Sequence, residues 1–333
     1  MNIQYTIDGH FDMLGDVCQR RRNGEREVIR RCFYPAFAAG HVTGVVASIF
    51  VDSCRLPYGA LEDAMEQVGA LHCEIAESPD ILMLCTCAAD FEEAARSKKL
   101  GVLMSFEGAE PVSSLTLLHS FYAAGVRGLG LAWSRRNQAA DGCDFMGGLK
   151  KGGLTQFGLD LVREAEKLSM LIDISHLSDE GVEDVLNHTS CPIVATHSNA
   201  RAIASNNRNL TDAQMTELAK RGGLAGLNGC SIIASETKEG ASQEKLIEHL
   251  DHMIDVMGED HVGFGFDFCD QFLTGSSAQD LARMPYVSFD LVGGHGALPE
   301  FIGRLADHGY GETRLKKIAG ENWLELFRRL EAK

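Results

Sequence analysis

Short apolar runs recur along this chain, separated by longer stretches in which apolar residues return every three or four positions. The runs predict strands at Tyr5–Asp8, Val42–Phe50, Ile81–Cys85, Val102–Phe106, Val126–Ala132, Met170–Ile174, Ile193–Thr196, Leu224–Leu227 and Val262–Phe266. The stretches between them predict helices over Leu61–Glu77, Ala89–Ser97, Leu115–Ala124, Thr155–Leu168, Asp179–Leu186, Asp212–Lys220 and Gln243–Met257. Glu300–Ala306 and Glu312–Glu331 also read as helices. Thr211 and Gln214 fit a capping box, in which hydroxyl and amide each satisfy a backbone N–H of the first turn.

Strands alternating with helices through the whole length predict an α/β protein with a parallel sheet. The 333 residues suit a (β/α)8 TIM barrel, a fold of about 250 residues that exceeds 400 with insertions. Nine runs are candidates where a closed barrel needs eight strands, and Ile81–Cys85 is the expected extra because Val102–Phe106 follows so soon. No Pro/Gly/Ser linker divides the chain, so residues 1–333 are read as one domain.

Composition narrows the function. A formal net charge of −16 excludes a nucleic-acid surface, which needs clustered Lys and Arg. The one basic cluster, Arg20 to Arg22, is followed by Glu25 and Glu27 and reads as a solvated loop or helix face. The 10 cysteines include no C-x-x-C pair, and several lie in apolar runs where a thiol acts as a small hydrophobe. They read as reduced thiols of a cytoplasmic protein. No signal peptide, membrane span or lipid-anchor tail is expected.

The chemistry sits at the strand ends. His10 and Asp12 are two apart after the first run, so extended backbone points both to one face, as suits two ligands on one metal. Further runs end in Glu107, His176, His197 and Asp267. In an α/β barrel the carboxyl ends of the strands form the active-site face. Imidazole and carboxylate donors without thiolate suit catalytic zinc or a similar divalent metal. His41, His72, His119, His188, His249, His252 and His308 lack a partner pattern and read as structural or surface residues; His295, in a Gly-rich loop, stays an open minor candidate. A phosphate loop, a dinucleotide fingerprint, a G-x-S-x-G elbow and an H-E-x-x-H helix are all absent.

At these residues the chain resembles the renal, or membrane, dipeptidase family of zinc peptidases. The likeness runs from Asp8 to about Phe327. It rests on Asp8-Gly9-His10-x-Asp12, Phe106-Glu107-Gly108, Leu171–His176, Thr196–Arg201, Arg208-Asn209-Leu210, Gly263–Asp267 and Ile318–Trp323. The resemblance implies two zinc ions per chain, other divalent metals being possible. His10 and Asp12 would bind one ion, His176 and His197 the other, and Glu107 both. Asp267 would shuttle the proton of a metal-bridging hydroxide, and Arg208 would pair with the C-terminal carboxylate of the substrate. The implied activity is cleavage of dipeptides, L,D-dipeptides among them, and a homodimer is a family-level expectation.

One departure stands out. Characterised mammalian-type members carry a Thr-His pair where this chain reads Leu131-Ala132-Trp133-Ser134, and the family histidine polarises the substrate carbonyl. Trp133 offers a single N–H donor and reads as an apolar, substrate-facing wall. It keeps open a binuclear metallohydrolase acting on a lactone, ester or other amide.

Overall fold

The computed structural model describes residues 3–144, 151–272 and 284–332. Among them are parallel strands β1 (Ile7–Phe11), β2 (Gly44–Phe50), β3 (Leu82–Leu84), β4 (Leu100–Glu107), β5 (Val126–Gly130), β6 (Leu171–Asp173), β7 (Val194–Ala195), β8 (Leu224–Leu227) and β9 (Val262–Phe264). β1 pairs with β2 on one edge and β9 on the other, and β2 pairs with β4. The order β1-β2-β4-β5-β6-β7-β8-β9 therefore closes on itself, with helices between successive strands. This is the expected (β/α)8 barrel.

β3 stands outside the ring. The 8 residues of β4 pair with β3 at Leu100–Val102 and with β5 only from Met104 onward. The Ile81–Cys85 run is thus the supernumerary strand that its closeness to β4 suggested. Strands β1 and β4 are buried at every position. Helices cover one face and the barrel interior the other, so these runs are continuously apolar rather than alternating.

Boundaries moved where tertiary contacts decide them. β1 continues through His10 to Phe11, because β2 and β9 both hydrogen-bond it. β6, β7 and β9 stop early, since the chain turns into the barrel mouth there. The expected helix Glu312–Glu331 is instead two helices, Glu312–Lys316 and Asn322–Glu331, joined by a π-turn over Lys317–Glu321. Helices Met13–Arg22 and Tyr34–Ala39 were not foreseen.

The arginine cluster needs correction. It forms the last turn of Met13–Arg22, and it is an ion-pair seam rather than a solvated face. Arg21 reaches Glu77 at 2.8 Å and also the fully buried Glu74, whose other oxygen accepts Ile29 N–H at 2.8 Å. Arg22 reaches Asp63 at 2.8 Å. A buried carboxylate needs such partners.

Close packing also explains one motif glycine. Gly9 points to the face opposite His10. A Cβ there would lie 2.0 Å from the Trp323 indole, whose Nε1–H donates to Phe264 O at 2.9 Å. The same side chain that completes the family-like C-terminal segment thus seals the outer face of β1 and β9. Among the described residues no disulfide joins any of the ten cysteines, and no helix is long and apolar enough to cross a membrane.

His249 is structural, as its lack of partners in the sequence suggested. It is fully buried; Nε2 donates to Ala234 O at 2.9 Å and Nδ1 accepts Ala200 N–H at 3.2 Å. Only the neutral ring makes both bonds, and burial lowers its pKa from 6.5 to about 4. The unfolded chain binds this proton first, so His249's contribution is full above pH 6.5 and fades as pH falls toward 4. At roughly 1.4 kcal/mol per pH unit the loss is about 3 kcal/mol. Urea unfolding of wild type and His249→Gln is expected to show the wild-type advantage shrinking by about that amount between pH 7 and 4.

Candidate metal centre and pocket

Strand geometry gathers the candidate residues at one barrel mouth. His10 comes from β1 and Glu107 ends β4; Asp12, His176, His197 and Asp267 lie just beyond strands β1, β6, β7 and β9. His10 Nε2 is 3.5 Å from Asp12 Oδ1, 3.6 Å from Glu107 Oε2 and 4.0 Å from Asp267 Oδ1. Glu107 Oε1 faces the other way, 2.9 Å from His176 Nε2 and 3.7 Å from His197 Nε2. The two imidazole nitrogens are 2.9 Å apart. One carboxylate therefore shows one oxygen to His10 and the other to His176 and His197. Asp12 is not in extended backbone, as its spacing from His10 suggested, but caps the helix that follows.

Four of the six side chains, Asp12, His176, His197 and Asp267, are aimed by a neighbour. Asp173 accepts Ser175 N–H at 2.9 Å and Thr196 N–H at 3.0 Å, and also takes the Thr196 hydroxyl. With that hydroxyl donated, Thr196 Oγ1 accepts from His197 Nδ1 at 2.8 Å, leaving Nε2 with a free lone pair. Ser134 Oγ lies 2.7 Å from His176 Nδ1. Ser48 Oγ contacts Asp12, and Asn228 Nδ2 donates to Asp267 Oδ2 at 3.0 Å. His176 and Asp267 both hold left-handed backbone, φ 68° and 56°. Such conformations are uncommon outside glycine and cluster at functional sites.

His295 is not among these donors. Its Nε2 meets Asp8 Oδ2 at 2.7 Å, and Asp8 Oδ1 accepts Phe266 N–H at 2.8 Å. Asp8 thereby ties both His295 and the segment after β9 to β1, behind the candidate donors. Asp173, Thr196, Ser134 and Asn228 escaped the sequence reading. Thr196 adjoins His197, but a threonine beside a histidine carries no periodicity, and Ser134 is 42 residues from the ring it supports.

The electrostatics call for added positive charge. Burial, with Asp12 beside it, pushes Glu107 well above the usual carboxylate range. Burial opposes a charge on His10, yet Glu107 and Asp12 outweigh it and raise His10 well above its ordinary value. Burial, aided by Arg208 and His10, drives His176 and His197 well below theirs, so both are neutral donors. His10 Nε2 and Glu107 Oε2 are buried with no hydrogen-bond partner among the described residues. Orphaned buried atoms on a nitrogen and oxygen donor set fit a divalent cation.

Beside the donors opens a cavity lined by Asp12, Phe50, Trp133, His176, Arg208 and Asp267 among others. Arg208 enters its wall almost fully buried, holding Ser198 Oγ at 3.2 Å and His197 O at 3.1 Å. Its Nε has no partner among the described residues. Trp133 and Phe50 pack at 5.5 Å on another wall, and the Trp133 ring stacks on His176 at 5.7 Å. Burial, with Asp12 nearby, lifts Asp267 to about 6 against the pull of His10, Arg208 and Asn228.

Three comparisons bear on this site. The family model described as membrane dipeptidase (peptidase family M19) matches residues 1–333. The chain is similar to an uncharacterized protein in the pqqA 5′ region of Klebsiella pneumoniae, 34% identical over 82% of this chain and 98% of that one. It is also 27% identical to Dipeptidase verJ of Clonostachys rogersoniana, over 82% of this chain and 66% of that one. Among solved structures it resembles a metallo peptidase from Rhodobacter sphaeroides liganded with a phosphinate mimic of the dipeptide L-Ala-D-Ala. That match has a TM-score of 0.85 and 29% identity, covering 98% of this chain and 99% of that one. A dipeptidase described as a metallo peptidase of family M19 matches with the same TM-score and coverages at 30% identity.

The support given to His197 is testable without touching a donor. Thr196→Val is expected to keep the fold, by circular dichroism, and to weaken zinc binding about 10- to 100-fold in competition with a chelating dye.

Proposed function

The chain belongs to the membrane dipeptidase family, and from that premise we propose that it hydrolyses dipeptides, L,D-dipeptides among them, at a centre of two zinc ions. The observation that carries this reading is Glu107, one oxygen toward His10 and the other toward His176 and His197. His10 and Asp12 would hold one ion, His176 and His197 the second, with Glu107 shared. Manganese or cobalt suits the same nitrogen and oxygen donors. Bound divalent ions lower the pKa of water to about 7 and polarise a carbonyl.

The chain's own residues supply the rest. Asp267, aimed by Asn228, takes the proton of the attacking water and returns it to the leaving amine. Arg208 binds the terminal carboxylate of the substrate, a planar task suited to guanidinium. Its fixed position in a small cavity favours short substrates over chains that continue past that carboxylate. Trp133 and Phe50 form the apolar wall that keeps water from the reacting bond. The L-Ala-D-Ala mimic on the Rhodobacter relative supports the stereochemical part of the proposal. Trp133, which offers neither an acid nor a cation, favours lactone or ester hydrolysis as the alternative.

The test is a panel of L,L- and L,D-dipeptides, with esters and lactones beside them, on zinc-loaded protein. Free amino acids are expected from dipeptides; turnover confined to esters or lactones would select the alternative. Asp267→Asn is expected to lower kcat about 10²- to 10⁴-fold. Arg208→Met is expected to raise KM roughly 10- to 100-fold, bonds to charged groups being worth about 1.5–3 kcal/mol.

A further inference from the structure

The cavity has a third wall that the chemistry above does not use. Cys230, Ile232 and Ile233 form a small hydrophobic cluster separate from the barrel core, each at most 4% exposed. Cys269 and Met284 pack against it, and all five residues line the cavity that Arg208 enters. A satellite cluster of this kind buries little apolar surface on its own account, and its free face is turned to the cavity.

The cluster is also tied to Arg208. Asn206 Nδ2 donates to Ile232 O at 2.8 Å, and Asn209 Nδ2 donates to Ile233 O at 2.9 Å. Asn206 Oδ1 accepts Arg208 N–H at 2.9 Å. The residues flanking Arg208 thus grip the Ile232–Ile233 turn directly, so the guanidinium and the apolar wall are held as one unit. Asn228 links the same turn to the catalytic side, with Oδ1 accepting Cys230 N–H at 2.7 Å and Nδ2 on Asp267. Phe50, Asp52 and Trp133, which also line the cavity, belong to other elements.

A carboxylate seated on Arg208 belongs to the C-terminal residue of the substrate, and the side chain one bond away must lie near what surrounds that guanidinium. We propose that Cys230, Ile232, Ile233 and Met284 form the subsite for the C-terminal side chain, and that the enzyme selects dipeptides ending in an apolar residue. This inference rests on the dipeptidase reading and on Arg208 as its anchor. Its chemistry is hydrophobic transfer. Each methylene moved from water into such a wall is worth about 0.8 kcal/mol, about fourfold in kcat/KM, until the space is filled. An ionised side chain of Asp, Glu or Lys would enter without a partner and is disfavoured.

The experiment compares two matched series on zinc-loaded protein, Ala-Xaa and Xaa-Ala, with Xaa running from Gly through Ala and aminobutyrate to norvaline and Asp, in both stereochemistries of the second residue. The expected result is a rise of about fourfold per methylene in kcat/KM along Ala-Xaa, steeper than along Xaa-Ala, and a loss of at least tenfold for Ala-Asp against Ala-aminobutyrate. Ile233→Ala is expected to cut the norvaline-to-glycine ratio in Ala-Xaa about tenfold. Met284→Gln, at a partly exposed position that is safer for folding, is expected to lower the same ratio several-fold. Turnover with a flat Ala-Xaa series, a preference for Asp, or a slope confined to Xaa-Ala overturns the inference and leaves the dipeptidase reading standing. Absence of turnover on every dipeptide overturns both.

Discussion

The structure turns on the burial of the Glu107 carboxylate in a mouth that also holds Asp12, Asp267 and three imidazoles. Removing a carboxylate from water costs several kcal/mol unless opposite charge meets it. Arg208, the arginine in this cavity wall, turns its guanidinium to Ser198 Oγ and His197 O, and no ion pair joins it to Glu107 among the described residues. The residues therefore leave Glu107 short of positive charge, which is the condition a cation site creates for its ligands. The same shortage raises His10 and Glu107, while His176 and His197 stay neutral. The barrel supplies the rigidity that keeps these groups from relaxing apart: six side chains come from five strand ends, each strand hydrogen-bonded on both edges.

Around that centre, hydrogen bonds do the aiming. Asp173 orients Thr196, which orients His197, and Asn228 holds Asp267. Asn228 also anchors the turn bearing Cys230. Asp267, Arg208 and the apolar cluster are thereby linked through backbone and amide contacts rather than resting on separate loops. The cavity combines several chemistries: carboxylates and imidazoles, the Trp133 ring stacked on His176, the Arg208 guanidinium, and the apolar Cys230–Ile233 cluster.

Much of this was legible in the chain. The apolar runs located the barrel strands, and the short interval between Ile81–Cys85 and Val102–Phe106 identified the extra one. His10, Glu107, His176, His197 and Asp267 stood out because each is a polar residue within, at the end of or just after a buried strand, where it interrupts a continuous apolar pattern. The supporting shell could not be read. Ser134, Thr196 and Asn228 are ordinary polar residues whose roles exist only when distant strands meet. The arginine cluster was misread because its partners, Glu74 and Glu77, lie about fifty residues away on another helix. His295 stayed an open minor candidate for the same reason: its partner Asp8 is 287 positions distant.

The central claim is that Glu107 serves two cations at once, and the most direct measurement is the stoichiometry of metal binding. Calorimetric titration of the chelator-stripped protein with zinc, checked by elemental analysis after gel filtration, is predicted to give two bound ions per chain in the wild type. Removing the shared oxygen pair in Glu107→Ala is predicted to weaken both. One ion per chain in the wild type, or a variant that keeps two with unchanged affinity, would contradict the account.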